Sequence, residues 1–286
     1  MVTIEKLLKD GIDIIKQREF NTPKLDAELI LCYILDHDRI FLHLNKKTEV
    51  DDGIKEKFYE LASRRNAGYP LQYITNSQEF MGLEFFVREG VLIPRPDTEI
   101  LVEKTLKIAE KKYNNQNIKI IDLGTGSGAI GISLAYYLKN SKVTAIDISD
   151  IAIETTNINI KKHNLNNICI IKADLFDEDI LLDEKYHIVV SNPPYIEKCT
   201  ILNLQTEVST FEPKLALDGG VDGLDYYRRI VELFKKIHEE DGVLAVEIGY
   251  NQKEKVEEIF KNIELFKTIE TYQDLSGNDR VVIGMT

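Results

Sequence analysis

Residues 117–138 read NIKIIDLGTGSGAIGISLAYYL, and this stretch decides the fold. Its start, NIKIID, is a short apolar run of the kind that forms a buried strand, and GAIGISLAYYL has the length and composition of a helix. Between them Gly124, Gly126 and Gly128 let the backbone turn sharply and approach a ligand with no Cβ in the way. Downstream, strands and helices alternate: KVTAID, a helix from Ser149 to His163, ICIIKAD, and YHIVVS. That order predicts an α/β fold with a parallel sheet and helices on both faces. The tail adds a helix from Asp225 to His238, the strand GVLAVEIG, a helix from Gln252 to Phe260, and two strands around Glu264 to Gln273 and Arg280 to Met285. A closing strand pair after a helix suits an antiparallel end to the sheet. Ligands of such sheets bind at the carboxyl ends of the strands, near the switch in strand order.

Upstream, a helix is expected to start at Asp97 and run through TEILVEKTLKIAEKKY, capped by Asp97 or Thr98, with Ile100, Leu101, Thr105 and Ile108 on one side. The short runs LQYI, EFM and LEFFV that follow Gly68-Tyr69-Pro70 read as a β-hairpin linker over residues 71–96. Apolar residues recur at helical spacing in Ile4 to Ile15, Leu25 to Leu35 and Ile54 to Ala62, so residues 1–70 read as all-helical. Thr22-Pro23 opens the second of these helices, the threonine as a cap and the proline in the first turn. The α/β part then spans 97–286.

With 43% hydrophobic and 29% charged residues, the 286-residue chain has a globular profile. The start, MVTIEKLLKDGIDIIKQ, has no uninterrupted apolar core of a signal peptide or membrane span, so a cytoplasmic protein with no membrane partner is expected. A net charge of −12 argues against a broad polyanion-binding surface, and direct nucleic-acid binding is not expected. The basic pairs Lys46-Lys47, Arg64-Arg65, Lys111-Lys112, Arg228-Arg229 and Lys235-Lys236 read as solvated helix faces. Cys32, Cys169 and Cys199 lie far apart and form no CxxC pair, so they read as buried or inert thiols, and no metal is called for.

The loop Asp122-Leu123-Gly124-Thr125-Gly126-Ser127-Gly128-Ala129 also fits the G-x-G-x-x-A spacing of dinucleotide binding. Asp122 separates the two readings. A carboxylate two residues before the first glycine is badly placed beside a pyrophosphate, whereas S-adenosylmethionine carries an ammonium and a sulfonium and no phosphate. Asp147, at the next strand end, can accept from ribose hydroxyls in either cofactor class. The second motif is Ser191-Asn192-Pro193-Pro194-Tyr195, after the strand YHIVV. Two successive prolines remove two donors and fix two φ angles, leaving a stiff turn rich in carbonyl acceptors. Such a turn suits an amine or amide NH₂, with the Asn192 oxygen and the Pro193 carbonyl each accepting one N–H and the Tyr195 ring against the planar group. The plainer alternative is a proline pair that only ends a strand.

Asn-Pro-Pro-Tyr after a fourth strand resembles the methyltransferases that act on adenine N6, cytosine N4 and glutamine side-chain nitrogens. Further segments narrow the likeness: Gln72-Tyr73-Ile74, Glu79-Phe80, Val91 to Glu99 (VLIPRPDTE), Asp122 to Ala129, Asp174-Leu175-Phe176, Asn192 to Ile196, Ala216 to Gly220 with Asp222-Gly223-Leu224, and Asp279 to Val282. Together they resemble the peptide chain release factor glutamine methyltransferase family over most of the chain, least in the first seventy residues. The resemblance implies a class I methyltransferase (Rossmann-like) mostly parallel sheet with an antiparallel end strand. It also implies transfer of a methyl group from S-adenosyl-L-methionine, yielding S-adenosyl-L-homocysteine, to the glutamine of a Gly-Gly-Gln tripeptide in class I release factors. Carried onto this chain, it puts the cofactor on Asp122, Gly124, Thr125, Gly126, Ser127, Gly128, Asp147, Asp174, Leu175 and Asn192. The glutamine falls on Asn192, Pro193, Pro194 and Tyr195, of which Asn192, Pro193 and Tyr195 carry the catalytic expectation.

Two departures stand out. Some members have tryptophan where Leu175 stands, and this chain has none, so any adenine stacking is weaker or comes from Phe176. Asp97 replaces the more usual glutamate of the Pro-Arg-Pro-Glu-Thr-Glu segment. An amide nitrogen is a poor nucleophile because its lone pair is delocalised, so positioning and charge stabilisation matter more than a strong base. None of His37, His43, His163, His187 and His238 has an arrangement that demands a catalytic role. A ribosomal-protein glutamine methyltransferase and a DNA adenine N6-methyltransferase share the Asn192 turn. A nicotinamide oxidoreductase or a non-enzymatic adenosylmethionine-binding module shares only the glycine loop. The helical region before Pro70 is expected to hold the protein substrate.

Overall fold

The computed structural model describes residues 2–17, 21–114, 116–177 and 184–286. Two compact units emerge from it, one of residues 1–77 with 204–211 and the other of residues 78–203 with 212–286.

In the first unit, β1 (Val2–Thr3) leads into α1 (Ile4–Ile14), α2 (Pro23–Leu35), α3 (Arg39–Leu44), β2 (Glu49–Val50), α4 (Asp52–Asn66) and α5 (Leu71–Thr75). The first seventy residues are thus not purely helical, because β1 and β2 pair antiparallel, Val2 opposite Val50. Helices α1, α2 and α4 bury Leu7, Ile30, Leu31 and Phe58 completely. Gly11 permits that packing, since a Cβ there would stand 2.5 Å from Phe58 Cζ. The expected threonine cap of α2 does not form. Asp26 instead folds back to accept from the Thr22 N–H at 3.4 Å. LQYI is a helix rather than a strand, because Pro70 starts a turn to which the Tyr73 and Ile74 N–H groups both return, and both side chains are buried.

Arg65 corrects the reading of its pair as a solvated face, for it is only 2% exposed. Its Nε donates to Asp26 Oδ2 at 2.6 Å, and its Nη1 donates to the Tyr69 carbonyl at 3.1 Å and to Glu207 Oε1 at 2.8 Å. Tyr69 packs edge-on against Phe211, centroids 5.3 Å apart. The Arg65 guanidinium and the Tyr69–Phe211 ring pair thus help to hold the stretch 204–211 to this unit.

The second unit begins with the hairpin β3 (Ser77–Phe80) and β4 (Leu83–Phe86), followed by α6 (Glu99–Tyr113), β5 (Ile118–Leu123), α7 (Ala129–Tyr137), β6 (Ser141–Asp147), α8 (Asp150–Lys162), β7 (Ile168–Lys172) and β8 (Tyr186–Ser191). After α9 (Thr206–Phe211), which belongs to the first unit, come α10 (Asp225–Ile237), β9 (His238–Glu247), α11 (Lys253–Lys261), β10 (Thr268–Gln273) and β11 (Asp279–Met285). Seven strands form one sheet in the order β10-β11-β9-β8-β5-β6-β7. The five from β9 to β7 run parallel, while β11 pairs antiparallel with both β9 and β10, as expected for a class I methyltransferase sheet. Ile120, Ile121, Val189, Val190, Leu244 and Ala245 are fully buried, as strands covered on both faces must be. The strand order reverses beside β5, which has β6 on one side and β8 on the other. Helix α6 starts two residues later than expected, after a 3-10 turn at Pro96–Thr98, and buries Leu101, Val102, Thr105 and Ala109 while Ile100 and Ile108 stay partly exposed.

Truncating Arg65 takes the guanidinium away from buried Asp26 and from Glu207 in the helical unit. Arg65→Ala is expected to cost about 3–5 kcal/mol, read from urea unfolding. A loss below about 1 kcal/mol would show the cluster to be worth no more than a surface pair.

Candidate active site

The glycine loop leaves β5 and is held from three sides. The Gly124 and Thr125 N–H groups both donate to the Ile146 carbonyl at 2.9 Å, joining the loop to β6. Asp147, at the end of β6, accepts from the Gly126 N–H at 2.8 Å and the Ser149 N–H at 2.9 Å. From α8, Thr156 Oγ1 donates to the Gly126 carbonyl at 3.0 Å and Asn159 Nδ2 to the Ser127 carbonyl at 2.8 Å. Asn159 also exchanges hydrogen bonds with both backbone groups of Phe86, so one buried amide links the hairpin, α8 and the loop.

Asp122 is fully buried behind this loop. Its Oδ2 accepts from Thr125 Oγ1 at 2.5 Å and the Gly131 N–H at 2.9 Å, while Oδ1 has no partner. Burial pushes its carboxyl up to about 6 against the pull of those two donors, with Asp147 adding to the rise. Asp147 is raised for the same first reason, desolvation, although backbone N–H groups oppose it.

The Asn-Pro-Pro-Tyr turn reaches the same edge because β8 pairs in parallel with β5 and Ser191 Oγ donates to the Leu123 carbonyl at 2.7 Å. Asn192 Nδ2 donates to Thr98 Oγ1 at 3.2 Å. The turn is fixed on its far side by residues 216–223: Ile196 N–H donates to the Leu217 carbonyl at 3.0 Å and Gly219 N–H to the Ile196 carbonyl at 2.9 Å. Only glycine fits at 219, where a Cβ would lie 2.8 Å from Tyr195 Cα.

These elements enclose a cavity of about 340 Å³, within the range of small-molecule sites. Gly124, Thr125, Gly126, Ser127, Asp147, Asp174, Leu175, Asn192 and Pro194 line it, as sequence reasoning expected. Four expected residues do not line it: Asp122 and Pro193 are buried, Gly128 is packed beneath the loop, and Tyr195 points its hydroxyl at Glu247, 3.4 Å from Oε1. Tyr195 is consequently part of the core behind the cavity, packed against the cluster that holds Leu224 and Tyr227. Thr98 was expected as a helix cap, yet its side chain caps nothing and stands on the cavity wall. Sequence reasoning passed over Tyr226, which also lines the cavity and packs edge-on with Phe176 at 5.0 Å. Arg229 donates to the Leu175 carbonyl and, at 2.7 Å, to the Asp177 carbonyl, fixing the turn that presents this ring pair. Arg95 grips buried Glu212 with both oxygens within 2.8 Å, so the opposite wall is pinned as well.

The histidines pack elsewhere: His37 stacks on Phe41, His238 on Phe234, and His163 and His187 sit against Phe85 and Tyr113. Cys169 and Cys199 are exposed rather than buried.

The glycines divide by what a side chain would meet. At Gly124 and Gly126, with φ of 73° and 60°, a Cβ would touch nothing within 4 Å, so it would stand in the cavity space. At Gly128 it would lie 2.7 Å from Ile132 Cδ1 and 2.9 Å from Thr156 Cγ2. Gly126→Ala should therefore lose only about 1–2 kcal/mol from its left-handed backbone, and Gly128→Ala distinctly more, in the same unfolding assay. Equal losses would contradict this division.

The PrmC N-terminal domain family matches residues 6–75, and the Methyltransferase small domain family matches residues 97–209. A release factor glutamine methyltransferase from Clostridium acetobutylicum is 42% identical, with 99% of this chain and 98% of that protein covered. One from Clostridium botulinum is 40% identical over 98% of each. Among solved structures, a methyltransferase from Pyrococcus furiosus shares the fold, with a TM-score of 0.52 at 17% identity over 79% of this chain and 98% of that one. Near-complete coverage at such identity, on a sheet of this order, means that the chain belongs to the release factor glutamine methyltransferase family.

Proposed function

We propose that this protein transfers a methyl group from S-adenosyl-L-methionine to the side-chain amide nitrogen (N5) of the glutamine in the Gly-Gly-Gln motif of class I peptide chain release factors. The observation that carries this reading is the Asn192 amide, whose nitrogen is engaged by Thr98 on the wall of the glycine-loop cavity. That leaves Oδ1 as an acceptor for a substrate N–H. The activity for which the relatives are named agrees with it.

The residues fit adenosylmethionine. Gly124 and Gly126 leave a cradle that a Cβ would fill. Asp147 keeps lone pairs for ribose hydroxyls beside those given to the backbone. Phe176 and Tyr226 supply the aromatic surface that Leu175 lacks. Asp122, with one unpartnered oxygen behind the loop, adds negative potential suited to a cationic ligand. When bound, the cofactor supplies an electrophilic methyl group.

The chain's own task is positioning. The amide nitrogen gains positive charge as its bond to carbon forms, and it sheds one proton. An N–H held by Asn192 Oδ1 orients that nitrogen and stabilises the developing charge. Tyr195, packed into the core, supports the turn from behind rather than meeting the amide face to face. A buried strong base is unnecessary for this step.

We read the helical unit as the surface that selects the protein acceptor. Ile40 and Leu44, one turn apart on α3, are 67% and 80% exposed. Removing residues 1–77 would strip Glu207 and Phe211 of Arg65 and Tyr69, so substitution is the better test. A translation factor as acceptor implies work in the cytoplasm, and no described helix is long and apolar enough to cross a membrane.

A labelled-methyl assay on purified release factors, the ribosomal-protein glutamine substrate and duplex DNA tests the reading. Release factor should be labelled, and replacing its Gly-Gly-Gln glutamine should abolish the label; labelling of DNA instead overturns it. Asn192→Ala should lower kcat by about a hundred- to a thousandfold while adenosylmethionine still binds. Ile40→Ser with Leu44→Ser should raise KM for release factor severalfold without changing cofactor affinity, and an unchanged KM would remove α3 from the docking surface. Cofactor affinity should also depend on pH. Below about 6 Asp122 is neutral, so binding should weaken as pH falls through that value, and Asp122→Asn should flatten the dependence.

A further inference from the structure

Gln252 stands at the start of α11, yet its side chain does not cap that helix. It is 6% exposed and lies behind the Asn-Pro-Pro-Tyr turn. Strands β8 and β9 are parallel with Ser191 opposite Val246, so the segments that leave them run out side by side. The Gln252 amide ties those segments together. Its Nε2 donates to the Tyr195 carbonyl at 2.9 Å and to the Gly223 carbonyl at 3.2 Å, while its Oε1 accepts from the Gly249 N–H at 2.9 Å. The Tyr227 hydroxyl of α10, which donates to the Glu247 carbonyl at 2.9 Å, stands 3.3 Å from the same Oε1. Carbonyls only accept and a backbone N–H only donates, so the amide fits one way round. Two glycines leave it room: a Cβ at Gly223 would lie 2.7 Å from Nε2, and one at Gly249 would lie 2.8 Å from Oε1. Burying an amide is costly unless its groups are paired, and here both hydrogens and the oxygen are.

What the amide holds gives it a purpose. The Asn-Pro-Pro-Tyr turn has no N–H at Pro193 or Pro194 and two fixed φ angles, so its middle is stiff and is anchored through its ends. One end is fixed by the Ser191 hydroxyl on the Leu123 carbonyl. At the other end the Ile196 backbone is tied to Leu217 and Gly219, and the Tyr195 carbonyl to Gln252. A stiff piece that loses an anchor shifts as a whole, and Asn192 stands on it. We propose that Gln252 is a positioning residue for the methyl transfer, which clamps the Tyr195 carbonyl to the segment after β9 and to Gly223 and so holds Asn192 Oδ1 where the acceptor nitrogen arrives. The inference rests on the proposed role of Asn192. Gln252 does not line the cavity, so it acts on the reaction through the turn.

Gln252→Met keeps the length of the side chain and removes its hydrogen bonds. It should lower kcat by about 10- to 100-fold, the effect of a misplacement of about 1 Å, while adenosylmethionine affinity stays within about twofold of the parental value. That affinity also reports that the variant is folded. In the Asn192→Ala background Gln252→Met should cause little further loss, because both act through one side chain, whereas a general packing fault would multiply with it. Losses that multiply, or a kcat near the parental value, overturn the proposal. Two NMR measurements need no acceptor, and the first guards against a variant that fails to fold. In the unaltered protein the Gln252 NH₂ protons, both given to carbonyls, should exchange with solvent far more slowly than those of an exposed glutamine, and exchange at the exposed rate refutes the clamp. In Gln252→Met the Asn192 side-chain NH₂ resonances should shift, and resonances that stay in place refute the link to Asn192. A parental protein that labels no glutamine while both measurements come out as expected would count against the substrate reading alone.

Discussion

Parallel pairing of β5 with β8 brings Leu123 and Ser191 to the same edge, and the hydrogen bond between them joins two loops that are 68 residues apart in the chain. A parallel sheet covered on both faces leaves only its strand ends free to meet a ligand. Here one of those ends carries three glycines and the other two prolines. The first can yield space and backbone N–H groups, and the second holds a stiff row of acceptors. Their adjacency makes a site out of two turns that would otherwise be unrelated.

What surrounds the turns is mostly polar bracing. Thr156 and Asn159 of α8 hold the loop by its carbonyls, Asp147 holds it by a nitrogen, and Asp122 holds Thr125 and the first turn of α7. Each is buried or half-buried, so each unsatisfied atom would cost more than the bond it makes contributes. This explains why polar residues recur on the inner face of α8, where an apolar stripe would pack as well but would leave the loop's carbonyls without donors. Two acids, Asp122 and Glu247, stand out because burial raises both and each keeps one oxygen without a partner. Each meets a hydroxyl, that of Thr125 on Asp122 and that of Tyr195 on Glu247. Catalytic edges of this kind depend on the direction of hydrogen bonds as much as on shape, since shape alone does not distinguish the two ends of an asparagine amide.

The order of strands and helices, the glycine loop and the Asn-Pro-Pro-Tyr turn were all legible in the residues, because period, punctuation and local backbone freedom are properties of short segments. So were nine of the residues that line the cavity. The misreadings have separate causes. LQYI has strand composition but folds as a helix under Pro70, Thr22 yields its capping role to Asp26, and Arg65 leaves the solvated face for a buried cluster. In the first two a neighbour, Pro70 or Asp26, outweighs a propensity of about 1 kcal/mol or less, and only Arg65 answers to partners distant in sequence, Asp26 and Glu207. Tyr195 was expected against the substrate and lies instead against Glu247, 52 residues away.

The sequence by itself therefore determined the sheet class and the two loops at its edge, since those follow from the period of apolar residues and from where glycine and proline permit or forbid backbone geometry. Only the tertiary structure decided which hydroxyls and acids stand behind those loops. Thr98 reads in the chain as a cap, and Glu247 as one acid at a strand end. Thr98 meets Asn192, and Glu247 meets the Tyr195 hydroxyl, because β9 pairs with β8 and the turn before α6 reaches the same edge, and no local pattern encodes contacts across those separations.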